Sequence, residues 1–300
     1  LVLGKAGGVG NLLVLIGSRT GRDGIHGVTF ASEELSDQSE AKRPAVQVGD
    51  PFMGKLLMEA TLEAIRRQLV TGVQDLGGAG LTCALTETAA RAGTGVEVDL
   101  QRVPLREESM EPFEILTSES QERMLLIVEP DKLDSLEDIC KRWELRPAVI
   151  GRVTADGMVI VRHRGKVIVN LPAASVAEGS PLHYPMGSEP AYYERLAGFD
   201  PSLLEPVSDL NTALLKVLAD PDVASKEWVW QRYDYMVRTS TVQGPGGDAA
   251  VIRLRECGKA LAVSVDGNGR HTYLDPYLGG MLAVAEATRN LSCTGAEPIG

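Results

Sequence analysis

An aspartate followed by a glycine-rich turn is the part of this chain whose residue types best suit chemistry. Residues 72–81 read GVQDLGGAGL and lead directly into a helical pattern, with no Gly-Lys-Ser/Thr as in a Walker A loop. Glycines let the backbone approach a ligand, and the N–H groups at a helix start favour a phosphate. Asp75 ends a strand-like segment and offers the hard oxygen ligands that Mg²⁺ prefers. The segment suits a phosphate with its Mg²⁺, or a tight turn whose glycines only permit close packing.

A second glycine-punctuated loop, residues 17–27, carries two arginines, an aspartate and a histidine among four glycines. Guanidinium groups and glycine backbone N–H groups are suited to anion binding. The same composition also occurs in ordered surface loops, and the residues alone favour neither alternative. The candidate phosphate loop consists of Thr20, Gly21, Arg22, Asp23 and Gly24.

Two further sets of polar residues stand where regular elements begin. Gln47 precedes a predicted helix start at Asp50, where its amide would reach a ligand, although a strand-end polar residue is the simpler interpretation. The run Glu119, Ser120 and Gln121 precedes a predicted strand, and polar groups at a strand entrance often line a pocket. Taken alone, that run fits a solvated turn better.

Histidine and cysteine chemistry is not indicated. The four histidines are widely separated and show no metal-ligand spacing, so none is nominated as a nucleophile or base. Cys83 lies at a predicted helix start, where a thiolate would be stabilised, but its place in the helical pattern favours a packed thiol.

Composition bounds the class of protein. The 300 residues carry a net charge of −11, which argues against nucleic acid or an anionic membrane surface as the main partner. Four scattered cysteines form no disulfide framework, as in a reducing compartment. No apolar run approaches the length of a membrane span. The first residues show neither an initiator methionine nor a signal peptide, and we expect a piece of a longer sequence.

The pattern of apolar residues predicts mixed strands and helices. Asp50 as N-cap and Pro51 as first helical residue mark one helix, and further helices are expected at 81–92, 131–143, 202–219 and 276–291. Strands are expected at 12–16, 124–128, 148–153, 158–161, 167–170, 237–242, 249–254 and 259–265, with hairpin turns at 155–157 and 266–270. These patterns predict an α+β fold with α/β layers.

Several phrases occur together and in order: TGRDGIHG at 20–27, QVGDPF at 47–52, QDLGGAG at 74–80, SESQERM at 118–124, YDYMVRT at 233–239, PGGDAAV at 245–251 and AEATRN at 285–290. Together they resemble the synthetase subunit family of the phosphoribosylformylglycinamidine synthases, over essentially the whole chain. The resemblance implies the AIR-synthase-like fold, in which two homologous halves each contain an N-terminal and a C-terminal domain.

The resemblance implies four segments and a set of site residues. Residues 1–32 would end the first half's N-terminal domain, 33–178 would form its C-terminal domain, 179–232 a linker with helical pieces, and 233–300 the start of the second half. Asp75 would be a Mg²⁺ ligand, and Gln47, Glu119, Ser120 and Gln121 would contact formylglycinamide ribonucleotide. The catalytic histidine and most ATP contacts of the family would lie outside these 300 residues, so this piece alone is expected to be inactive.

The implied reaction is the ATP-dependent amidation of that ribonucleotide in the cytoplasm, with Mg²⁺ and ATP. The amide oxygen is phosphorylated to an iminophosphate, and ammonia from a glutaminase partner, assisted by a small accessory subunit, displaces the phosphate. Two alternatives stay open. One is another ATP-using enzyme of the same superfamily, such as aminoimidazole ribonucleotide synthase or selenophosphate synthase, although the new domain near Tyr233 counts against it. The other is a non-catalytic binding module.

Overall fold

The computed structural model describes residues 1–25 and 49–300, apart from the side chain of Val237. The chain divides into two units, Leu1–Tyr184 and Pro185–Gly300. In the part of the chain so described, no helix is both long and apolar enough to cross a lipid bilayer.

A seven-stranded sheet forms the centre of the first unit. Its strands, in chain order, are β1 (Leu12–Gly17), β2 (Val70–Asp75), β3 (Gly95–Asp99), β4 (Arg123–Val128), β5 (Ala148–Thr154), β6 (Met158–His163) and β7 (Lys166–Pro172). Their order across the sheet is β2-β4-β1-β5-β3-β6-β7. Neighbouring strands are antiparallel except β3 and β6, which are parallel.

The central strand β1 is buried on both faces, which explains its continuous apolar sequence. Leu13 and Leu15 pack into the core on one face, and Val14 and Ile16 into the core on the other. Full burial of such a side chain contributes about 2 kcal/mol. Because β1 pairs with both β4 and β5, the segment expected to end one domain supplies a central strand to the sheet of the next.

Helices cover both faces of the sheet. The described helices of this unit are α1 (Pro51–Arg66), α2 (Gly80–Ala92), α3 (Pro112–Thr117), α4 (Leu133–Arg142) and α5 (Ala173–Ala177), with 3₁₀ turns at Leu100–Arg102 and Pro130–Lys132. The predicted Asp50 cap of α1 is confirmed, since its carboxylate accepts a 3.0 Å hydrogen bond from the Met53 N–H. Gly93 ends α2 in the left-handed conformation, as glycine does best. The predicted α+β class with α/β layers is confirmed.

The predicted hairpin at residues 155–157 is wrong. The turn joins β5 to β6, but β3 lies between these two strands in the sheet. The Asp156 carboxylate accepts hydrogen bonds from the Thr154 hydroxyl (2.7 Å) and the Met158 N–H (3.0 Å). A Cβ on residue 95 would lie 2.1 Å from that carboxylate. Because β3 begins with a glycine, it can lie between β5 and β6 without this clash.

The second unit contains a three-stranded sheet and several helices. Its strands are β8 (Thr241–Gln243), β9 (Ala250–Leu254) and β10 (Lys259–Val263), in the order β10-β9-β8. Its helices are α6 (Ala191–Ala197), α7 (Leu210–Ala219), α8 (Glu227–Trp230), α9 (Gly269–Leu274) and α10 (Pro276–Cys293), with 3₁₀ turns at Pro201–Leu203 and Val237–Thr239.

Three expectations for this unit are wrong in detail. Residues 266–270 form no hairpin, because the Asn268 side chain caps α9 by accepting from the Arg270 N–H. The strand expected at 237–242 is shortened because Arg238 and Thr239 have φ of 60° and 51°. The helix expected from residue 202 begins only at Leu210, where Asp209 supplies the cap.

Candidate functional site

Three segments that carry predicted site residues meet at one end of the seven-stranded sheet. β1 and β2 run parallel to each other on either side of the antiparallel β4. Gly17 at the end of β1 pairs with Arg123, and Asp75 at the end of β2 pairs with Met124. The sheet therefore brings Asp75, the loop after β1 and the run before β4 together.

Asp75 is exposed at the end of β2 and receives a 2.8 Å hydrogen bond on Oδ1 from the Gln74 amide. Within residues 1–25 and 49–300, no group of three histidine, cysteine, aspartate or glutamate residues forms a complete metal site. Mg²⁺ commonly uses one or two carboxylates, with water and substrate phosphates as its other ligands. An exposed strand-end carboxylate fits one position of such a shell.

The start of helix α2 already faces a carboxylate. Glu119, 2% exposed, accepts a 3.0 Å hydrogen bond from the Ala79 N–H at Oε1. Ala79 and Gly80 have φ of 56° and 51°, and a Cβ on Gly80 would lie 1.9 Å from the Ser118 carbonyl oxygen. The negative charge that this helix start favours is therefore supplied from within the chain. A phosphate at the same donors would have to displace Glu119.

Ser120 ties the loop after β1 to the run before β4. Its hydroxyl accepts a 2.9 Å hydrogen bond from the Gly21 N–H and forms a short hydrogen bond with the Asp23 carboxylate. The Ser118 hydroxyl donates to the Gly21 carbonyl oxygen at 2.6 Å. Both serines are almost fully buried, so the two segments form one rigid surface.

The candidate phosphate loop uses many of its own polar groups internally. The Thr20 N–H donates to the Pro104 carbonyl oxygen, and the Arg22 N–H donates to the Glu107 carboxylate. The Arg22 guanidinium forms 2.8 Å ion pairs with both Glu107 and Glu114, which raise its pKa through their hydrogen bonds. An anion would compete with two carboxylates for this arginine. The role of the loop at 20–24 in phosphate binding stays a prediction.

Asp23 stabilises the same loop. Burial raises the pKa of its carboxyl, but hydrogen bonds from Arg106 (2.6 Å) and Ser120 outweigh burial, so the pKa lies below its ordinary value. Asp23 is therefore ionised at neutral pH, and its charge binds Arg106, which fixes the position of the loop.

Gln121 lies beside these groups and is half-buried; its amide Nε2 lies 3.3 Å from the Glu119 carbonyl oxygen, to which it donates. The structure thus brings Glu119, Ser120 and Gln121 close to the loop and to α2. Gln47, also predicted to contact substrate, lies outside the described residues.

Sequence reasoning missed two neighbours of these residues. The Arg123 guanidinium is buried against the loop, and Glu122 adopts φ of 56° and accepts a 3.1 Å hydrogen bond from the Asp50 N–H. The available signal was the position of Arg123 directly before the apolar run 124–128, where a strand residue is expected to be buried.

The packed-thiol interpretation of Cys83 agrees with the geometry. Its Sγ donates to the Glu87 carboxylate at 2.9 Å. Burial, followed by that hydrogen bond, raises the pKa of the thiol to about 11, so it is protonated at neutral pH.

Comparison with known proteins places two family models on the chain. The AIR synthase related protein, C-terminal domain, matches residues 8–164, and the AIR synthase related protein, N-terminal domain, matches residues 246–300.

The curated relatives of this chain include PurL subunits. The phosphoribosylformylglycinamidine synthase subunit PurL of Moorella thermoacetica is 54% identical over 296 residues, which cover 99% of this chain and 40% of that relative. The chain thus spans about 40% of the length of the curated relatives it matches. The resemblance predicted from the sequence phrases is confirmed.

Three solved structures from T. maritima cover all of this chain. PurL complexed with FGAR has a TM-score of 0.74 at 35% identity, with 46% of that chain covered. PurLQS has a TM-score of 0.75 at 32% identity, with 45% covered. PurL complexed with ATP has a TM-score of 0.69 at 32% identity, with 44% covered.

Proposed function

Because this chain belongs to the AIR synthase related family, we propose that it is part of the synthetase subunit of a phosphoribosylformylglycinamidine synthase. The observation that carries the proposal is the meeting of Asp75, the loop at 20–24 and the run 119–121 at one end of the sheet, in a chain 54% identical to a subunit of that name.

The proposed reaction is the amidation of formylglycinamide ribonucleotide at the expense of ATP. ATP transfers its γ-phosphoryl group to the glycinamide carbonyl oxygen and leaves as ADP, and ammonia then displaces phosphate from the iminophosphate to give the amidine. Relatives complexed with FGAR and with ATP support both substrates. The acid–base residue and most ATP contacts are proposed to lie outside these 300 residues, so this piece alone would be inactive.

The ribonucleotide would lie against Gln47 and the run Glu119, Ser120 and Gln121. Ser120 is engaged with Gly21 and Asp23, and Glu119 caps α2, so both are suited to fixing the shape of this wall. Gln121 offers the amide that is best suited to a direct substrate contact, because its side chain is half-buried beside the two. The loop at 20–24 would support this wall, and a direct phosphate contact by Arg22 would require it to leave Glu107 and Glu114.

Asp75 would be a ligand of the Mg²⁺ that accompanies ATP. When bound, Mg²⁺ neutralises charge on the transferring phosphoryl group. Asp75 would hold the ion at the sheet end beside the ribonucleotide wall, while the hydrogen bond from Gln74 orients the carboxylate.

The order of the two family models supports a junction between two homologous halves. A C-terminal domain at 8–164 precedes an N-terminal domain at 246–300, as expected where one half ends and the next begins. We place the start of the first domain before β1 rather than at residue 33, because β1 is central to its sheet. Residues 179–232 would link the halves, and the second half would start near residue 233.

We propose that the full-length protein works with a separate glutaminase and a small accessory subunit in the cytoplasm. A T. maritima relative solved as PurLQS supports a complex with further subunits. Four free cysteines agree with a reducing compartment, and the net charge of −11 supports a role without nucleic acid.

Asp75→Asn in the full-length gene product tests this function. With formylglycinamide ribonucleotide, ATP, Mg²⁺ and ammonium salt, wild type should form the amidine and ADP. Asp75→Asn should lower kcat/KM by about 100-fold or more, because the metal stabilises charge worth several kcal/mol. Asp131→Asn, at another exposed aspartate on the same unit, should leave the rate unchanged. A wild-type enzyme that binds the ribonucleotide without turnover would contradict the synthase and favour a binding module.

A further inference from the structure

Arg123 is a buried cation at the point where the site segments meet. It begins β4, is 2% exposed, and pairs in register with Gly17 at the end of β1. Its Nε donates to the Ser120 carbonyl oxygen at 2.8 Å, Nη1 to the Thr20 hydroxyl at 2.9 Å, and Nη2 to the Ser118 carbonyl oxygen at 2.6 Å. One guanidinium therefore joins the loop after β1 to both ends of the run 118–120.

Burying this charge is unfavourable for the fold. Burial lowers the pKa of Arg123 to about 10, and the nearby Asp23 charge offsets only part of the effect. Among the described residues, its hydrogen-bond partners are two carbonyl groups and a hydroxyl, and no carboxylate there forms an ion pair with it. Apolar residues of similar volume often replace buried charges without loss of stability. General packing is thus a poor explanation for an arginine here.

We infer that Arg123 is a positioning residue: it clamps the loop at 20–24 to the run 118–120 and thereby sets the affinity for the ribonucleotide. The inference deepens the proposed function and rests on it, because the clamped run leads directly into Gln121. Arg123 itself would not touch the substrate. Its two carbonyl acceptors fix the backbone of the run 118–120, from which the substrate-contacting side chains project, and the Thr20 hydroxyl ties the loop to that run.

The clamp needs the shape of a guanidinium. Three donors on Nε, Nη1 and Nη2 point in fixed directions within one plane and reach three acceptors at once. A lysine ammonium carries its donors on a single atom and has none at the position of Nε. Lysine would keep the charge and lose the geometry.

Kinetics of the full-length enzyme with Arg123→Ala and Arg123→Lys test the inference. Both variants should raise KM for formylglycinamide ribonucleotide by about 30-fold, which corresponds to about 2 kcal/mol, because hydrogen bonds from a charged group are lost. KM for ATP should stay within about twofold, because the clamp does not hold the nucleotide. Guanidinium chloride at tens of millimolar should restore much of the ribonucleotide affinity of Arg123→Ala. Sodium chloride or ammonium chloride at the same concentration should not restore it. Arg142→Ala, which removes an exposed arginine paired with Glu63, should behave as wild type.

Thr20→Val is the second variant, for the case in which Arg123→Ala does not fold. It keeps the side-chain volume and removes only the Nη1 acceptor, so it should raise the ribonucleotide KM by about 5-fold to 10-fold. An unchanged ribonucleotide KM in the folded variants, or an equal loss of ribonucleotide and ATP affinity without guanidinium rescue, would overturn the inference. Wild-type enzyme without synthase activity would instead refute the proposed function, so the two failures are distinguishable.

Discussion

Two polar clusters lie on the same seven-stranded sheet and hold their charges in different surroundings. The buried cluster is the run 118–123 with the loop at 20–24, in which Ser118, Glu119, Ser120 and Arg123 are at most 2% exposed. The exposed cluster lies on β3, β5 and β6, where Glu97 accepts hydrogen bonds from Arg152 (2.9 Å) and Arg162 (2.7 Å). The side chains of these two arginines are 65% and 43% exposed.

The two clusters differ in how strongly their hydrogen bonds fix the positions of the backbone. Water can replace each partner in the exposed cluster, so its ion pairs contribute little to stability. In the buried cluster a lost partner leaves a desolvated polar group, so every contact fixes a backbone position. Two residues other than glycine have left-handed backbone here: Glu122 in the buried cluster, directly before β4, and Ala79 at the start of α2, which donates to Glu119. Such strain persists where the surroundings enforce it, commonly at functional sites.

The strongest way to break the buried cluster is Gly80→Ala. The new Cβ would lie 1.9 Å from the Ser118 carbonyl oxygen at φ of 51°, so the start of α2 must move away from the run 118–120. The free energy of unfolding should fall by about 3 kcal/mol or more, and synthase activity should be lost. Gly93→Ala is the matched control: its φ is 67°, but no atom lies within 4 Å of the new Cβ. The free energy of unfolding of Gly93→Ala should fall by only about 1–2 kcal/mol.

Denaturant unfolding of the full-length variants measures this difference. Equal losses for the two alanine variants would mean that the left-handed conformation, and not the contact with Ser118, is the reason for glycine at residue 80. The tight contact between α2 and the run would then have no structural role.

Local rules predicted the elements of the buried cluster but not its contacts. The strand at β1, the Asp50–Pro51 start of α1 and the end of α2 at Gly93 follow from apolar spacing and capping residues within a few positions. The hydrogen bond from the Ala79 N–H to Glu119 joins residues 40 apart in sequence, which no local rule encodes. For the same reason only the family resemblance indicates that Glu119 and Ser120 belong to the site.

Sheet order was beyond sequence reasoning for a related cause. The turn at 155–157 has the residues of a hairpin, yet β3 inserts between the strands it joins. Insertion depends on the fit of Gly95 against Asp156, a contact between residues 61 apart. Arg123 likewise stands directly before an apolar run, but its contact with Thr20 joins residues 103 apart in sequence, which no local rule encodes.

Asp23→Asn should have an intermediate effect on the buried cluster. At pH 7 the free energy of unfolding of the variant should be about 2 kcal/mol lower than that of wild type, because charge-assisted hydrogen bonds from Arg106 and Ser120 are weakened. The folded pKa of Asp23 lies below its unfolded value near 3.8, so this contribution is present above that value and is lost as pH falls through the folded pKa. The stability difference between wild type and variant should therefore narrow below about pH 4. Thermal unfolding of the full-length proteins from pH 7 to pH 3 measures it, and a constant difference would contradict the role of the ionised carboxylate.

Glu97→Gln in the exposed cluster should have the smallest effect. Hydrogen bonds from Arg162 and Arg152 lower the pKa of Glu97, but both arginines are well solvated and the neutral amide can still accept from one of them. The loss of stability at pH 7 should be below about 1 kcal/mol, and 0.5 M sodium chloride should reduce it further because salt screens exposed charges. KM for the ribonucleotide should not change, since β3 and β6 lie on the far side of β5 from the strands of the site. A loss as large as that of Asp23→Asn would mean that solvent exposure does not separate the two clusters, and burial would then not explain why Arg123 acts as a clamp.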